Sequence, residues 1–279
     1  MVDAAQRLAR TADARAPDAS RRALRVPLGL IVPGLIVALW YGVCALGWVA
    51  PNLLPSPAAV LAVLYKLART GDLWIHLAAT VQRVAAGFLL GAAVATVLGA
   101  LTGYAVLARR LLDPLLQGLR SIPSIAWVPL FILWLGIAEA SKITLIAVGV
   151  FFPVYLNLMS GIAKTDRKLV EVGRAYRMTG WRLVRSVLVP ATLPAYFVGL
   201  RGGLGLGWMF VAAAELLGAS EGLGFLLVDG QMTGRPAVVF ASLISFAVIG
   251  KATDLVLVLL GGRVLRWQDT DQTMDGAGA

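Results

Sequence analysis

The sequence contains little charge, one cysteine and one histidine. Charged residues make up 14% of the 279 residues, whereas soluble domains carry about 25%. Cys44 has no second cysteine with which to form an intrachain disulfide. Because His76 is the only histidine, a metal site built on histidine and cysteine ligands is excluded. No carboxylates cluster in the sequence either, so we expect no metal on this chain.

A nucleotide-binding loop is also missing. Loops of the type G-x-x-x-x-G-K-[ST] cradle phosphates, and the nearest approach is Gly250-Lys251, which is followed by Ala252 and lacks the upstream glycine. The stretch from Gly218 to Gly222 fits G-x-S-x-G, but a serine nucleophile needs a base, and the only histidine is distant in sequence. A glycine-rich turn is the favoured interpretation. We therefore expect no catalytic residues and no cofactor on this chain.

Long apolar runs dominate the sequence instead. Hydrophobic residues make up 59% of the chain, and the mean hydropathy is +0.81. A helix of about 20 apolar residues is long enough to cross a bilayer. We place six spans, at roughly residues 27–48, 80–105, 116–137, 142–163, 192–217 and 236–260. The sequence thus predicts an all-α, polytopic membrane protein, with tails at 1–26 and 266–279 around a transmembrane domain at 27–265. The polar opening segment does not resemble a cleavable signal peptide.

The net charge of +10 predicts an orientation. A basic chain can bind nucleic acid, but the lysines and arginines here concentrate in alternate loops between the spans. Such an excess is typical of cytoplasmic loops. We therefore expect both termini to be cytoplasmic, and contact with membrane lipid but not with nucleic acid. The long outer loop, 49–79, is expected to hold a surface helix that follows Pro55 and Pro57.

The long inner loop, about 164–191, is polar although it lies between apolar runs. Its spacing predicts two short amphipathic helices joined near Thr179–Gly180. Glu171 and Arg174 are three residues apart and can pair on a polar face. The opposite, apolar face comprises Leu169, Val172 and Tyr176. A basic linker that orients the spans and binds nothing remains the alternative.

Several residues inside the predicted spans are candidates for a translocation path or gate. Glycines spaced four apart let helices approach closely, so they indicate packing, or a helix that moves or lines a passage. Charged residues also lie at or inside the ends of the spans: Arg83, Arg120, Arg201 and Glu215. They indicate mutual pairing or snorkelling to the membrane surface. The alternative is that the arginines attract an anion while Glu215 shapes an outer gate. The candidates are Pro123, Trp127, Gly203, Gly207, Trp208 and Glu215.

The inner loop resembles the EAA loop of ABC importer permeases, whose pattern is roughly E-A-A, three residues, G, nine residues, I-x-L-P. The matching positions are Glu171, Gly173, Val187, Val189 and Pro190. Val172 stands where a second alanine is common, and Arg177 replaces the glycine. The stretches GDLWIHLAATVQRVAAGF, IPSIAWVPLFILWLGIAEASKI and AAELLGASEGLG, among others, are similar to the nitrate/sulfonate/taurine group, nearest to aliphatic-sulfonate permeases. The resemblance covers roughly residues 50–267.

The resemblance implies a type I ABC importer permease fold in the bacterial inner membrane. It implies a homodimer, two cytosolic ATPase subunits that bind ATP and Mg²⁺, and an outer solute-binding protein, working by alternating access. The residues implied to couple to the ATPase are Glu171, Val172, Gly173, Arg174, Ala175, Tyr176, Arg177 and Met178.

The implied substrate is a small oxyanion. An aliphatic sulfonate comes first, and taurine, nitrate, an aromatic carboxylate or a vitamin precursor are alternatives. Two functions outside this class stay open at this point. An intramembrane enzyme is opposed by the lack of a His, Cys or acid-pair constellation. A passive channel or membrane scaffold would use the inner loop only for anchoring.

Overall fold

A computed structural model describes residues 31–216 and 218–267, and every regular element in them is helical. The tail at 1–26, the start of the first expected span and residues 268–279 lie outside the described part. The described residues fall into two compact units, one up to residue 57 and one from residue 58 onward. In the first unit, helix α1 (Ile31–Ala45) is followed by a turn that folds back on the helix. The Trp40 Nε1–H holds the two together by donating to the carbonyl of Pro55 at 3.1 Å.

The second unit is built from ten α-helices among the described residues. They are α2 (Pro57–Thr70), α3 (Asp72–Tyr104), α4 (Val106–Ser121), α5 (Val128–Leu135), α6 (Glu139–Ala163), α7 (Arg167–Ala175), α8 (Gly180–Leu183), α9 (Val189–Leu216), α10 (Leu223–Met232) and α11 (Pro236–Val264). A 3₁₀ turn (Ser124–Trp127) precedes α5, and a π-helical turn (Val184–Leu188) leads from α8 into α9. Helix α2 is the surface helix expected after Pro55 and Pro57.

Four helical segments are long and apolar enough to cross a membrane: Asp72–Tyr104, Glu139–Ala163, Val184–Leu216 and Pro236–Val264. They correspond to the second, fourth, fifth and sixth expected spans. Helix α1 lies in the first expected span, but its described part has only 15 residues. The described structure therefore supports a polytopic, all-α protein with at least four segments of spanning length.

The third expected span, at 116–137, is interrupted in the described structure. Helix α4 ends at Ser121, Ile122 is extended, and the chain restarts as the 3₁₀ turn and α5. Pro123 explains the break, because the residue before a proline is driven out of the helical region. Pro129 lies in the first turn of α5, where proline is well tolerated, and so begins that helix without kinking it.

The core of the second unit is helix α6, which lies between α3 and α9. A Cβ added to Gly103 of α3 would lie 2.8 Å from Ile162 Cβ, and one added to Gly199 of α9 would lie 2.8 Å from Asn157 Cβ. Both glycines permit a backbone approach that a side chain would block. Glycines on both helices therefore pack against α6, as the packing interpretation predicts.

Candidate functional site

The inner loop folds as a helix, a turn and a second short helix. Asp166 caps the start of helix α7, because its carboxylate accepts from the Lys168 backbone N–H at 2.9 Å; the helix runs from Arg167 to Ala175. Helix α8 begins at Gly180 and continues through the π-helical turn into α9. The two expected helices are thus present, but the second is a short lead into a membrane-spanning segment. This arrangement ties α7 to α6 on one side and to α9 on the other.

Gly173 lets α7 pack closely on the segment that follows it. The residue is buried, and a Cβ there would lie 2.6 Å from Leu183 Cδ1 and 3.1 Å from Val187 Cγ2. The nearest of these atoms is the flexible end of a leucine, so alanine could be accommodated by a shift of that side chain. A larger residue would separate α7 from α8, which explains the small residue at this place.

Arg177 adopts the left-handed backbone conformation, with φ +58°, and no other non-glycine residue in the described part does so. It closes α7 through its backbone N–H, which donates to the Arg174 carbonyl at 2.8 Å. Glycine reaches this conformation freely, whereas other L-residues are disfavoured by about 1–2 kcal/mol. The backbone geometry therefore accounts for the glycine in the pattern that this loop resembles.

An exposed apolar surface lies on α7. Leu169, Val172 and Tyr176 are spaced by three and four residues, so they share one face, and the Tyr176 side chain is 74% exposed. Glu171 and Arg174 are also exposed, but the ion pair that was expected between them does not form in the described structure. A short helix with an unburied apolar face can dock in the groove of another protein.

An ion-pair network around the buried Arg83 lies at the opposite end of the spanning helices, and the Glu139 side chain at its edge is 55% exposed. The Arg83 guanidinium of α3 donates from Nε and Nη2 to the two carboxylate oxygens of Glu139, at 2.6 and 2.9 Å. Its Nη1 donates to Glu215 Oε1 at 2.7 Å and to the Glu221 carbonyl at 2.6 Å. Lys142 completes the network with a 2.9 Å contact to Glu139. Two positive and two negative side chains leave it with no net charge.

Glu215 is fully paired inside this network. Its carboxylate also accepts from Thr80 Oγ1 at 2.8 Å and from the Gly224 backbone N–H at 2.8 Å. The residue is 1% exposed. Of the two roles weighed for Glu215, the internal pair is present; the role in an outer gate stays a prediction. A carboxylate in this setting stabilises the junction of α3, α9 and α10 and would repel an anionic ligand.

The G-x-S-x-G stretch wraps over Glu215 as a turn. Gly222 has φ +127°, and a Cβ there would lie 2.5 Å from the Glu215 carboxyl carbon. His76 does reach this turn, where its Nδ1 accepts from the Gly222 backbone N–H at 3.1 Å. The contact is to the backbone and not to Ser220, so it anchors the turn. Sequence reasoning missed Thr80, His76 and Glu139, because each meets its partners across long sequence separations.

The other path candidates occupy separate environments. Gly203 packs against Val150 and Val154 of α6, and Gly207 packs against Val150. Trp208 donates to Thr253 Oγ1 at 2.9 Å and so joins α9 to α11. Pro123 marks the break after α4, and Trp127 stacks on Phe131 with centroids 5.9 Å apart. The Trp127 Nε1–H is buried and lacks a hydrogen-bond partner among the described residues.

A second charged cluster lies on α9 and α11. Arg201 donates from Nε to Asp254 Oδ1 at 2.6 Å and from Nη2 to Oδ2 at 2.9 Å. Lys251, three residues before Asp254 on α11, also contacts this carboxylate, at 3.1 Å. Sequence reasoning considered Arg201 without naming its partner, since the two residues are 53 positions apart.

Comparison with known proteins identifies the family. Residues 87–266 match the family described as binding-protein-dependent transport system inner membrane component. Two relatives carry the provisional name aliphatic sulfonates transport permease protein SsuC. The one from Bacillus subtilis is 41% identical, with 87% of this chain and 88% of the relative aligned. The one from Escherichia coli is 39% identical, over 85% of this chain and 90% of the relative.

A further relative is the taurine transport system permease protein TauC of Escherichia coli. It is 30% identical, over 87% of this chain and 90% of the relative. The family match begins at Gly87 of α3 and runs to Arg266, so it includes α7 and the π-helical turn that follows α8. This chain therefore belongs to the family of inner-membrane components of binding-protein-dependent transport systems.

Proposed function

We propose that this chain is the permease subunit of an ATP-driven importer for a small oxyanion, with an aliphatic sulfonate as the first candidate. It works as a homodimer by alternating access, and an outer solute-binding protein delivers the substrate. The permease is not itself an enzyme; two cytosolic ATPase subunits bind ATP and Mg²⁺. Taurine, nitrate, an aromatic carboxylate and a vitamin precursor are the alternative substrates.

The proposed topology has six spans with both termini in the cytoplasm of a bacterial cell. The four long segments supply four of them, α1 with the residues before it supplies the first, and the broken segment α4–α5 supplies the third. A broken helix is tolerated at membrane depth where other helices surround it. Basic residues favour this orientation, because Lys164, Arg167 and Lys168 and the arginines of α7 and α8 lie at one end of the spans.

The observation that carries the proposal is the exposed apolar face of α7. This face, Leu169, Val172 and Tyr176, would dock in a groove of the ATPase and act as the coupling helix. Displacement of α7 would reach the membrane through α6 and α9, which flank it in the chain. The candidate coupling residues 171–178 all lie on α7 or in the turn after it.

The first experiment measures retention of the ATPase. The tagged permease is purified from detergent-solubilised membranes of its host, and bound ATPase activity is measured for the wild type, Val172→Ser and Tyr176→Ser. We expect both variants to lose most of the bound activity, since alanine-scan data place the dominant energy of interfaces in a few such apolar and aromatic contacts. Tyr65→Ser is the matched control, because Tyr65 is also an exposed tyrosine, 65% accessible, but lies on α2.

Two outcomes of this experiment would count against the proposal. Absence of any ATPase activity with the wild type would favour a channel or scaffold. Equal retention by Tyr176→Ser and Tyr65→Ser would reject α7 as the docking element. The substrate is tested in the same preparation, reconstituted with its binding protein, by stimulation of ATP hydrolysis with ethanesulfonate, taurine, nitrate and benzoate. We expect the largest stimulation with ethanesulfonate; a larger response to another anion would reassign the substrate.

A further inference from the structure

Three ionisable side chains meet on an exposed face of two membrane-spanning helices. Arg201 of α9 holds Asp254 of α11 with two parallel hydrogen bonds, and Lys251 contacts the same carboxylate. The Arg201 and Lys251 side chains are 56% and 73% exposed. The Arg83 network has no net charge, and all of its side chains except Glu139 are buried; this cluster is more open and carries a net charge of +1.

The cluster lies deep along both helices. Arg201 is near the midpoint of the segment Val184–Leu216, and Lys251 is near the midpoint of Pro236–Val264. At a rise of 1.5 Å per residue, both are roughly 20 Å or more from either end of their segments. Ionised groups at such depth face other protein or a water-filled cavity, because exposure to hydrocarbon is costly. The exposed side of the cluster is therefore expected to face a wet or protein-lined space.

The hydrogen-bond inventory of the cluster favours an anion. Arg201 has five N–H donors and Lys251 has three, and Asp254 accepts two from the arginine and one from the lysine. The remaining donors have no acceptor among the described residues. Because the bidentate pair fixes the plane of the guanidinium, its free N–H groups are held in a defined direction. A planar fork of this kind matches two oxygens of an oxyanion.

Open space adjoins the cluster. A groove of ≈ 570 Å³ between α9 and α11 extends from Arg201 to Arg266 and is lined mainly by apolar residues and by Gly261 and Gly262. On the same face of α9, one turn beyond Arg201, a Cβ added to Gly205 would meet nothing within 4 Å. A small anion could thus approach the free edge of the guanidinium, and a second cation lies further along the groove.

We propose that Arg201 and Lys251, positioned by Asp254, form a transient binding site for the transported oxyanion midway along its path. This inference rests on the proposed function and adds a site within the membrane. Asp254 has two effects: it orients the guanidinium, and it reduces the charge of the cationic pair from +2 to +1. A site with this lower charge binds an anion weakly enough to release it again, which a site in a transport path requires.

The test uses a cysteine reporter in the assembled complex. Gly205→Cys is introduced into a chain in which Cys44, the only native cysteine, is replaced by serine. Two thiol reagents of similar size are compared, the anionic 2-sulfonatoethyl methanethiosulfonate and the cationic 2-(trimethylammonio)ethyl methanethiosulfonate. Each rate is divided by the rate of the same reagent with a free thiol in solution. We expect this normalised rate to be about tenfold higher for the anionic reagent, since a local positive potential raises the concentration of anions by at least that factor. Arg201→Gln should abolish this preference.

The control is Arg235→Gln. Arg235 also pairs with an aspartate, Asp229, at 2.8 Å, but it precedes α11 and lies outside the spanning segment. This variant should leave the preference of the Gly205→Cys reporter unchanged. Val198→Cys, an exposed position that lines the groove on the other side of Arg201, is the second reporter.

Equal normalised rates for the two reagents at both reporters, or no reaction at either, would overturn the proposal. A preference that persists in Arg201→Gln would do the same, because another charge would then be its source. The assay requires no ATP hydrolysis. Failure of ATPase retention would therefore reject the proposed function, whereas failure here would reject only the anion site.

Discussion

At the residue scale, Arg177 combines a long charged side chain with a backbone conformation that favours glycine. Its φ of +58° is imposed by the turn in which the backbone N–H groups of Arg177 and Met178 donate to carbonyls of α7. The surrounding turn thus holds the residue in a disfavoured region at some cost in stability.

Arg177→Gly is expected to stabilise the isolated permease. The left-handed conformation then becomes free of strain, and the gain is about 0.5–1 kcal/mol after the greater entropy of the unfolded glycine chain is subtracted. The melting temperature in detergent should rise by about 2 °C. The control is Arg174→Gly, three residues earlier and inside α7, which should destabilise by about 1 kcal/mol. A lower melting temperature for Arg177→Gly would contradict this account.

The Glu215 carboxylate is buried and accepts hydrogen bonds from Arg83, Thr80 and the Gly224 amide, so its charge is stabilised by these donors. Glu215→Gln removes the charge and places an amide donor opposite other donors. We expect a loss of about 3 kcal/mol, which is typical of breaking a buried ion pair. Asp229→Asn, in the exposed pair with Arg235, should cost less than about 1 kcal/mol.

The comparison of Glu215→Gln with Asp229→Asn is made by thermal unfolding of the purified proteins. Similar melting temperatures for the two variants would show that the buried network contributes no more than an exposed pair.

At the element scale, the glycines of α9 divide between two faces. Gly203 faces α6, where an added Cβ would lie 3.0 Å from Val154 Cγ2 and 3.1 Å from the Val150 carbonyl oxygen. Gly205, two positions later, faces open space. The first face determines how closely the helices pack, and the second leaves room beside Arg201. Glycine thus permits close packing on one face of α9 and leaves open space on another face.

Gly203→Leu should reduce the folded yield far more than Gly205→Leu. The leucine at 203 would push α9 away from α6, and overpacking of this kind typically costs 1–3 kcal/mol. The yield is measured as the monodisperse fraction in size-exclusion chromatography after solubilisation. Both variants introduce the same side chain into the same helix, so a difference reflects the packing environment. Equal yields would show that α9 and α6 tolerate separation.

The hydrophobic pattern of the sequence was sufficient to predict the four segments of spanning length and the two helices of the inner loop. Hydropathy was insufficient between residues 116 and 137, because residues 122–137 stay largely apolar across the break and Pro123 is the sequence feature that marks it. The start of α3 at Asp72 was also missed, since its first turns are less apolar than the rest.

The pairings within the candidate sites could not be predicted from sequence alone. Arg83 and Glu215 were both identified as charges inside spans, but 132 residues separate them. A single sequence contains no signal that joins such positions. Lys251 and Asp254, by contrast, are three apart on one helix, so their contact follows from helical spacing. Local geometry was therefore predictable, and long-range pairing required the fold.

At the scale of the whole molecule, the proposed orientation places α7 in the cytoplasm and the turn after α10 outside. Single cysteines are introduced at Tyr176 and Met232, which are both highly exposed, in the Cys44→Ser chain. A membrane-impermeant maleimide should label Met232→Cys in right-side-out vesicles and Tyr176→Cys in inside-out vesicles. The opposite pattern would invert the topology, and labelling of both from one side would require a different number of crossings between them.

In the proposed transport cycle, the position of α6 between α3 and α9 has a consequence for how efficiently ATP hydrolysis is coupled to transport. Helix α7 joins α6 through residues 164–166 and joins α9 through α8 and the π-helical turn. A displacement of α7 would thus be transmitted to both α6 and α9. Their close glycine contacts prevent either helix from sliding along the other. Looser packing at this interface would let ATP be hydrolysed without transport of the substrate, so the complex would be partly uncoupled.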